Sequence, residues 1–247
     1  MKKILSRPKS LKNTVLSYCP GCGHGIIHRI IAECIDELSI REKTIAVAPV
    51  GCAVFAYDYF NFDVAEAPHG RPPAVATGIK RTNPDKFVFT YQGDGDIAAI
   101  GIAETIHAAN RSENISIIFV NNANYGMTGG QMAPTTLIGQ ITETTPFGRN
   151  CKKDGYPIKL SELLSTLDGV IYLERASIHS PKNIINAKKA IKKSFKHQIN
   201  GDGFSMIEIV SSCPVGWNML PIESLKWIEN VFLKSFPLGI IKNNINK

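Results

Sequence analysis

The sequence predicts an α/β fold, a doubly wound and mostly parallel sheet with helices on both faces. Three observations predict it. Short runs rich in Val, Ile and Phe recur along the chain, segments of helical period separate them, and one strand, glycine turn, helix and strand in succession reads as a βαβ crossover. The 247 residues suffice for one large domain around a buried sheet. Neither internal repeats nor a Ser/Gly-rich linker divide them, so a single domain over 1–247 is expected.

Residues 24–38 (HGIIHRIIAECIDEL) place Ile26, Ile27, Ile30, Ile31, Cys34, Ile35 and Leu38 on one helical face, which makes Cys34 a core residue. TIAVAP at 44–49 reads as a short buried strand. After a stretch rich in Gly, Pro and aromatics, PPAVATGIKR at 72–81 reads as a helix, since proline at a helix start gives up only an N–H that lacks a partner anyway. KFVFTYQ at 86–92 is a strand that runs straight into Gly-Asp-Gly-Asp. IAAIGIAETIHAAN at 97–110 is a small-residue helix able to lie close on a sheet, and ISIIFV at 115–120 is the second strand of the crossover. Residues 121–157 are rich in Gly, Thr and Pro and too long for an ordinary connection, which marks them as functional or mobile. GVIYLER at 169–175 and FSMIEIV at 204–210 are strands on either side of a lysine-bearing helix. A helical tail is expected from about 221 to 247.

Hydrophobic content of 44% and charged content of 20% argue for a globular chain rather than a low-complexity or membrane one. No apolar run reaches the length of a membrane span, and the basic start lacks the apolar core of a signal peptide, so a cytoplasmic location is expected. The net charge of +7 is spread out. Its one cluster, Lys188, Lys189, Lys192, Lys193 and Lys196, recurs at helical spacing and reads as a solvated helix face before it reads as a docking surface for an acidic electron carrier. No nucleic acid and no membrane are expected as partners.

In a doubly wound sheet ligands sit at the carboxyl ends of the strands. Gly93-Asp94-Gly95-Asp96 follows one strand of the crossover and Asn121-Asn122 follows the other, so Asp94 and Asn122 should share one rim. A carboxylate with an amide oxygen and a backbone carbonyl is a hard-oxygen set suited to magnesium that keeps diphosphate oxygens in its other positions. The glycines allow close backbone approach, and the helix beginning near Asp96 offers amide donors to phosphate.

Six cysteines without a secretion signal argue against a disulfide framework. Cys19 and Cys22 have CxxC spacing, while Cys52 and Cys213 each lie just past a strand. Four thiolates from three segments could hold zinc or a 4Fe-4S cluster, and spacing does not separate the two. Cys151 lies in the polar loop and, like His24, is left without an assignment. His28 is expected to pack; His24, beside CPGCG, is left without an assignment.

CPGCGH, then GC, HGR with PAVATGIK, GDGD, NNANYGMTGGQ, SSCP and a late FPLG resemble, in this order, the β subunits of 2-oxoacid:ferredoxin oxidoreductases, most closely the 2-oxoglutarate or 2-oxoisovalerate type. The resemblance implies a thiamine-diphosphate-binding fold, with an N-terminal cluster-binding segment at about 15–25. It implies magnesium on Asp94, Asn122 and the backbone carbonyl of Asn124. Gly93, Gly95, Asp96, Gly126 and Met127 would lie along the diphosphate, Val50, Gly51 and Ala53 against thiamine, and His69 against diphosphate or substrate. Cys19, Cys22, Cys52 and Cys213 would ligate a 4Fe-4S cluster. The implied activity is coenzyme A-dependent oxidative decarboxylation of a 2-oxoacid, with electrons leaving through the cluster to ferredoxin. An α subunit, with γ and δ subunits as further candidates, would complete the enzyme and supply the glutamate that activates thiamine; Glu66 and Glu104 are given no such role. The rival readings are a non-oxidative thiamine decarboxylase or synthase, which leaves the four cysteines idle, and a zinc-stapled basic protein, which leaves Gly-Asp-Gly unexplained.

Overall fold

The β-branched and aromatic runs form strands whose side chains are buried on both faces, as a parallel sheet flanked by helices requires. The computed structural model describes residues 6–244. The strands are β1 (Thr44–Ala48), β2 (Asp63–Glu66), β3 (Phe87–Gly93), β4 (Ser116–Asn121), β5 (Val170–Ser177), β6 (Phe204–Val210) and β7 (Gly239–Asn243). They form one sheet in the order β2-β1-β3-β4-β6-β5-β7. Every pairing is parallel except that of β7 with β5.

Alternation along the strands divides the core. Phe89, Tyr91, Ile118 and Val120 pack beneath the helices His24–Leu38 and Pro181–Asn200, whereas Val88, Ile117 and Phe119 face the helices Pro72–Thr82, Ile102–Asn110 and Leu160–Ser165. From β1 the chain steps outward to β2 and returns past β1 to β3, so the strand order reverses between β1 and β3. That is where a doubly wound sheet opens a crevice. Among the described residues no helix is long and apolar enough to cross a membrane.

The structure corrects several expectations. The tail is helical only to Ser235 and then returns as β7 along the sheet edge. Neither β2 nor β7 carries the apolar run that marks a strand, because each is an edge strand with half its surface in solvent. The segment expected as one helix over 97–110 opens with a wide turn at Asp96–Ile100, closed by the Gly101 amide donating to the Asp96 carbonyl. Ile26 points outward, 38% exposed. The first five and last three residues of the expected domain and tail lie outside the described residues. The lysine cluster is neither purely solvated nor free: Lys188 bonds Glu33 and Glu37 at 2.8 and 2.7 Å, and Lys192 bonds Glu37 at 2.7 Å. These contacts tie the two long helices of one face together.

The 121–157 stretch is ordered around Arg149, which is 5% exposed. Its guanidinium donates to the carbonyls of Ala133, Pro134, Thr136, Asp154, Gly155 and Tyr156. A loop without ladder partners satisfies its carbonyls this way. Arg149→Ala should therefore destabilise the fold by about 3 kcal/mol. That corresponds to a midpoint drop of roughly 6–12 °C by calorimetry, and a drop under about 2 °C would contradict this role.

Candidate functional site

Four neighbouring strands, β1, β3, β4 and β6, end at the same rim of the sheet. Their following residues are Gly51-Cys52, Asp94, Asn122 with Asn124, and Cys213. A cavity of ≈ 150 Å³ opens between them. Every residue expected at the cofactor lines it: Val50, Gly51, Cys52, Ala53, His69, Gly93, Gly95, Asp96, Gly126 and Met127, together with Asp94, Asn122 and Asn124. Larger hollows occur elsewhere, one of ≈ 590 Å³ beside Asp36 and Lys188, but there Lys188 is already paired with Glu33 and Glu37. Convergent chemistry, not volume, identifies the site.

Asp94 is 3% exposed, and among the described residues no cationic side chain pairs with it. It accepts from the Thr135 hydroxyl at 2.7 Å and from the Gly95 amide at 2.9 Å. Burial outweighs these bonds and pushes its carboxyl up to about 7. Beside it, Asn122 takes part in a turn that returns the Asn124 amide to the Asn122 side-chain oxygen at 3.4 Å. At Gly51 and Gly93 an added Cβ would meet nothing within 4 Å, so both backbones face open space. A buried carboxylate without a counter-charge, an amide oxygen and bare backbone beside a cavity fit a divalent cation carrying a phosphate group.

Asp96 lines the cavity, and its side chain is already engaged there. Its carboxylate accepts from the Gly70 amide at 2.6 Å, from Gln92 Nε2 at 2.5 Å and from the ring of His69. Its side chain is thus a strut that fixes the His69-Gly70-Arg71 turn and aims His69, 36% exposed, at the cavity. Neither Glu66 nor Glu104 lines the cavity; Glu104 pairs with Arg71.

The cysteines arrive by close backbone packing. A Cβ at Gly23 would fall 2.0 Å from Ser211 Oγ, so only glycine lets the CPGCG turn lie on the end of β6. The Ser212 hydroxyl donates to the Gly21 carbonyl at 2.7 Å across the same contact. Burial pushes the Cys22 thiol up to about 12, with Cys213, Cys52 and Cys19 adding repulsion, and the Cys52 thiol up to about 11, with Cys213 and Cys19 among the causes. Cys213 rises too, mainly by burial. A Cβ at Gly126 would stand 3.3 Å from Cys213 Sγ and 3.6 Å from Cys52 Sγ, so these sulfurs border one point at the cavity floor. Among the described residues no three His, Cys, Asp or Glu side chains are grouped to hold a single ion. The raised thiols of Cys22, Cys52 and Cys213 would be stabilised as thiolates by a bound metal. Cys34 is fully buried in the core, and Cys151, half-buried, opens the short helix Cys151–Asp154 and does not line the cavity.

Other members of the site carry weak signals in the sequence. The Tyr18 hydroxyl donates to the Cys52 carbonyl at 3.1 Å and lies 2.8 Å from His28 Nε2. His24 stacks on Tyr18 and bonds the Tyr91 hydroxyl, and its burial lowers it to about 4, so the ring is neutral beside the cavity. Period-2 alternation puts Tyr91 on this face, whereas nothing local marks Thr135. The Trp217 indole donates to the Asn122 carbonyl at 2.8 Å. Behind the rim, Asn121 donates to Glu208 at 2.7 Å, and Glu208, fully buried, meets Arg175 at 2.8 Å.

Residues 50–209 match the family model of the thiamine pyrophosphate enzyme C-terminal TPP-binding domain. The chain is 45% identical to ketoisovalerate oxidoreductase subunit VorA of Methanothermobacter thermautotrophicus over 96% of its own length and 52% of that protein's, so it spans about half of that relative. It is 35% identical to 2-oxoglutarate synthase subunit KorB of Archaeoglobus fulgidus, over 87% of this chain and 76% of that one. Among solved structures it is similar, with a TM-score of 0.83 and 25% identity, to a chain of the 2-oxoglutarate:ferredoxin oxidoreductase from Magnetococcus marinus with 2-oxoglutarate, coenzyme A and succinyl-CoA bound. That match covers 99% of this chain and 87% of the other. The domain match takes in Cys52 but not Cys19, Cys22 or Cys213.

Removing Glu208 would leave Arg175 buried with half its charge unmatched and Asn121 without its acceptor. Glu208→Ala should lower unfolding free energy by about 3–5 kcal/mol in denaturant titration, and a loss below about 1 kcal/mol would refute the strut.

Proposed function

This chain belongs to the thiamine pyrophosphate enzymes and, within them, to the subunits of 2-oxoacid:ferredoxin oxidoreductases, and on that premise we propose that it is the subunit holding thiamine diphosphate, magnesium and a 4Fe-4S cluster. The activity of the assembly would be coenzyme A-dependent oxidative decarboxylation of a 2-oxoacid, branched-chain or 2-oxoglutarate, with electrons passed to ferredoxin. One observation carries the reading: Gly51-Cys52 borders the cavity on its own strand end, and Cys52 shares the floor with Cys213. A single turn then touches both cofactor sites.

Thiamine diphosphate, when bound, supplies the carbon nucleophile and the electron sink for the keto acid. This chain's residues position it. Asp94, Asn122 and the Asn124 carbonyl would hold magnesium, and the amides near Gly95 and Asp96 would meet phosphate. Val50, exposed at the cavity, would lie against the rings with Gly51 and Ala53, and Met127, exposed likewise, along the diphosphate. His69, held by Asp96, presents a hydrogen-bonding edge to diphosphate or substrate. Cys19, Cys22, Cys52 and Cys213 would ligate the cluster, which supplies a one-electron acceptor. The choice of a cluster over a single zinc rests on the family to which the chain belongs, since four thiolates can serve either. Among the described residues no glutamate lines the cavity, and an α subunit would complete the site. The whole chain is read as one domain of a cytoplasmic assembly.

Co-purification with its partner, followed by assay of a panel of 2-oxoacids with coenzyme A and ferredoxin, tests the reading. Anaerobic protein should contain iron and absorb broadly near about 400 nm; colourless protein with stoichiometric zinc would refute it. Cys52→Ser should abolish acceptor reduction, and full retained rate would remove Cys52 from the ligand set. In the metal arm, wild type at 100 times its dissociation constant for thiamine diphosphate with Mg²⁺ should gain about 2.7 kcal/mol. Asp94→Asn, weakening binding by about 100-fold, should reduce that gain to about 0.4 kcal/mol by thermal shift.

A further inference from the structure

Two loops at the cavity floor are stitched together in opposite directions. From the β6 end, the Trp217 indole donates to the Asn122 carbonyl at 2.8 Å. From the β4 end, the Asn124 side-chain amide donates to Cys213 Sγ at 3.7 Å, an ordinary N–H···S separation. Asn124 is 1% exposed, and its side-chain oxygen has no partner. An iron-bound thiolate carries no proton, so only the N–H₂ end of this amide can face it. The neighbouring glycine is built around the contact: a Cβ at Gly216 would fall 2.0 Å from Asn124 Nδ2 and 2.8 Å from Cys213 Sγ. Any larger residue there would push the amide off the sulfur.

We propose that Asn124 is a positioning residue with two attachments, its backbone at the diphosphate–metal loop and its side-chain amide on Cys213, and that this amide raises the reduction potential of the cluster. The inference rests on the cofactor reading given above. An N–H···S bond stabilises the more negative, reduced cluster, so it makes the cluster a better acceptor for electrons leaving the thiamine site. Because one residue spans both sites, a shift of the metal loop is felt at the sulfur through only one side chain.

The test uses the complete complex with its partner, purified anaerobically, with iron and thiamine diphosphate content measured beside a spectroelectrochemical titration of the cluster. Asn124→Ala and Asn124→Asp should lower the potential, favouring the oxidised cluster about tenfold at fixed poise, or about 59 mV for a one-electron couple. Aspartate should lower it further, since it adds negative charge beside the sulfur. Gly216→Ala, which keeps Asn124 but displaces its amide, should shift the potential the same way. Asn124 variants with normal iron content and wild-type potential would overturn the proposal. Should they fail to load iron, Gly216→Ala decides, a lowered potential supporting the inference and an unchanged one overturning it. Wild type without iron would instead refute the cluster reading on which the proposal stands.

Discussion

The site depends on the parallel hydrogen-bond register of β1, β3, β4 and β6. Gly93 pairs opposite Val120 and Asn121 opposite Val210, so each strand delivers its last residues to the same level of the sheet. Residues as far apart in the chain as Cys52, Asp94, Asn122 and Cys213 meet because neighbouring parallel strands lie about 4.8 Å apart and end together. The reversal of strand order beside β1 leaves room for a ligand at that level.

Around this rim the polypeptide gathers groups that oppose one another when the site holds no cation. Asp94 is buried with no counter-charge among the described residues, and burial raises the thiols of Cys22, Cys52 and Cys213, with Cys213 adding to the rise at Cys22 and Cys52. Such an arrangement persists only when the surrounding fold determines it, and here the restraints are specific. Thr135 and the Gly95 amide hold Asp94, the Gly23–Ser211 contact holds the CPGCG turn, and Glu208 with Arg175 holds Asn121 from behind. Away from this centre, Lys188 and Lys192 are neutralised by Glu33 and Glu37.

The aromatic and imidazole groups under the first helix give the floor its rigidity. Tyr18 bridges His28 and the Cys52 carbonyl, and His24 lies between Tyr18 and Tyr91 as a neutral ring at the cavity wall. Stacked, buried rings with few rotamers fix the turn that carries Cys52 more firmly than a flexible apolar contact would. The long 121–157 segment is likewise held, by Arg149 at its far end and Thr135 at its near end, while Met127 at its tip stays exposed.

The sequence by itself determined the doubly wound class, the strand ends that carry Gly51-Cys52, Asp94 and Asn122, and the resemblance that groups four of the six cysteines. These signals are local: apolar period, glycine turns and motif order survive in one dimension. The tertiary structure decided what each side chain does there. Asp96 reads as a phosphate neighbour in the motif, and its side chain also braces His69 and Gly70, a contact that depends on another loop reaching the end of β3. Thr135, Trp217 and Glu208 carry no mark in the sequence, since their partners lie far along the chain. The edge strands β2 and β7 were invisible for a related reason, as half-solvated strands need no apolar run. The Asn124 to Cys213 contact exists only where two loops meet, and no pattern along one chain encodes the distance between them.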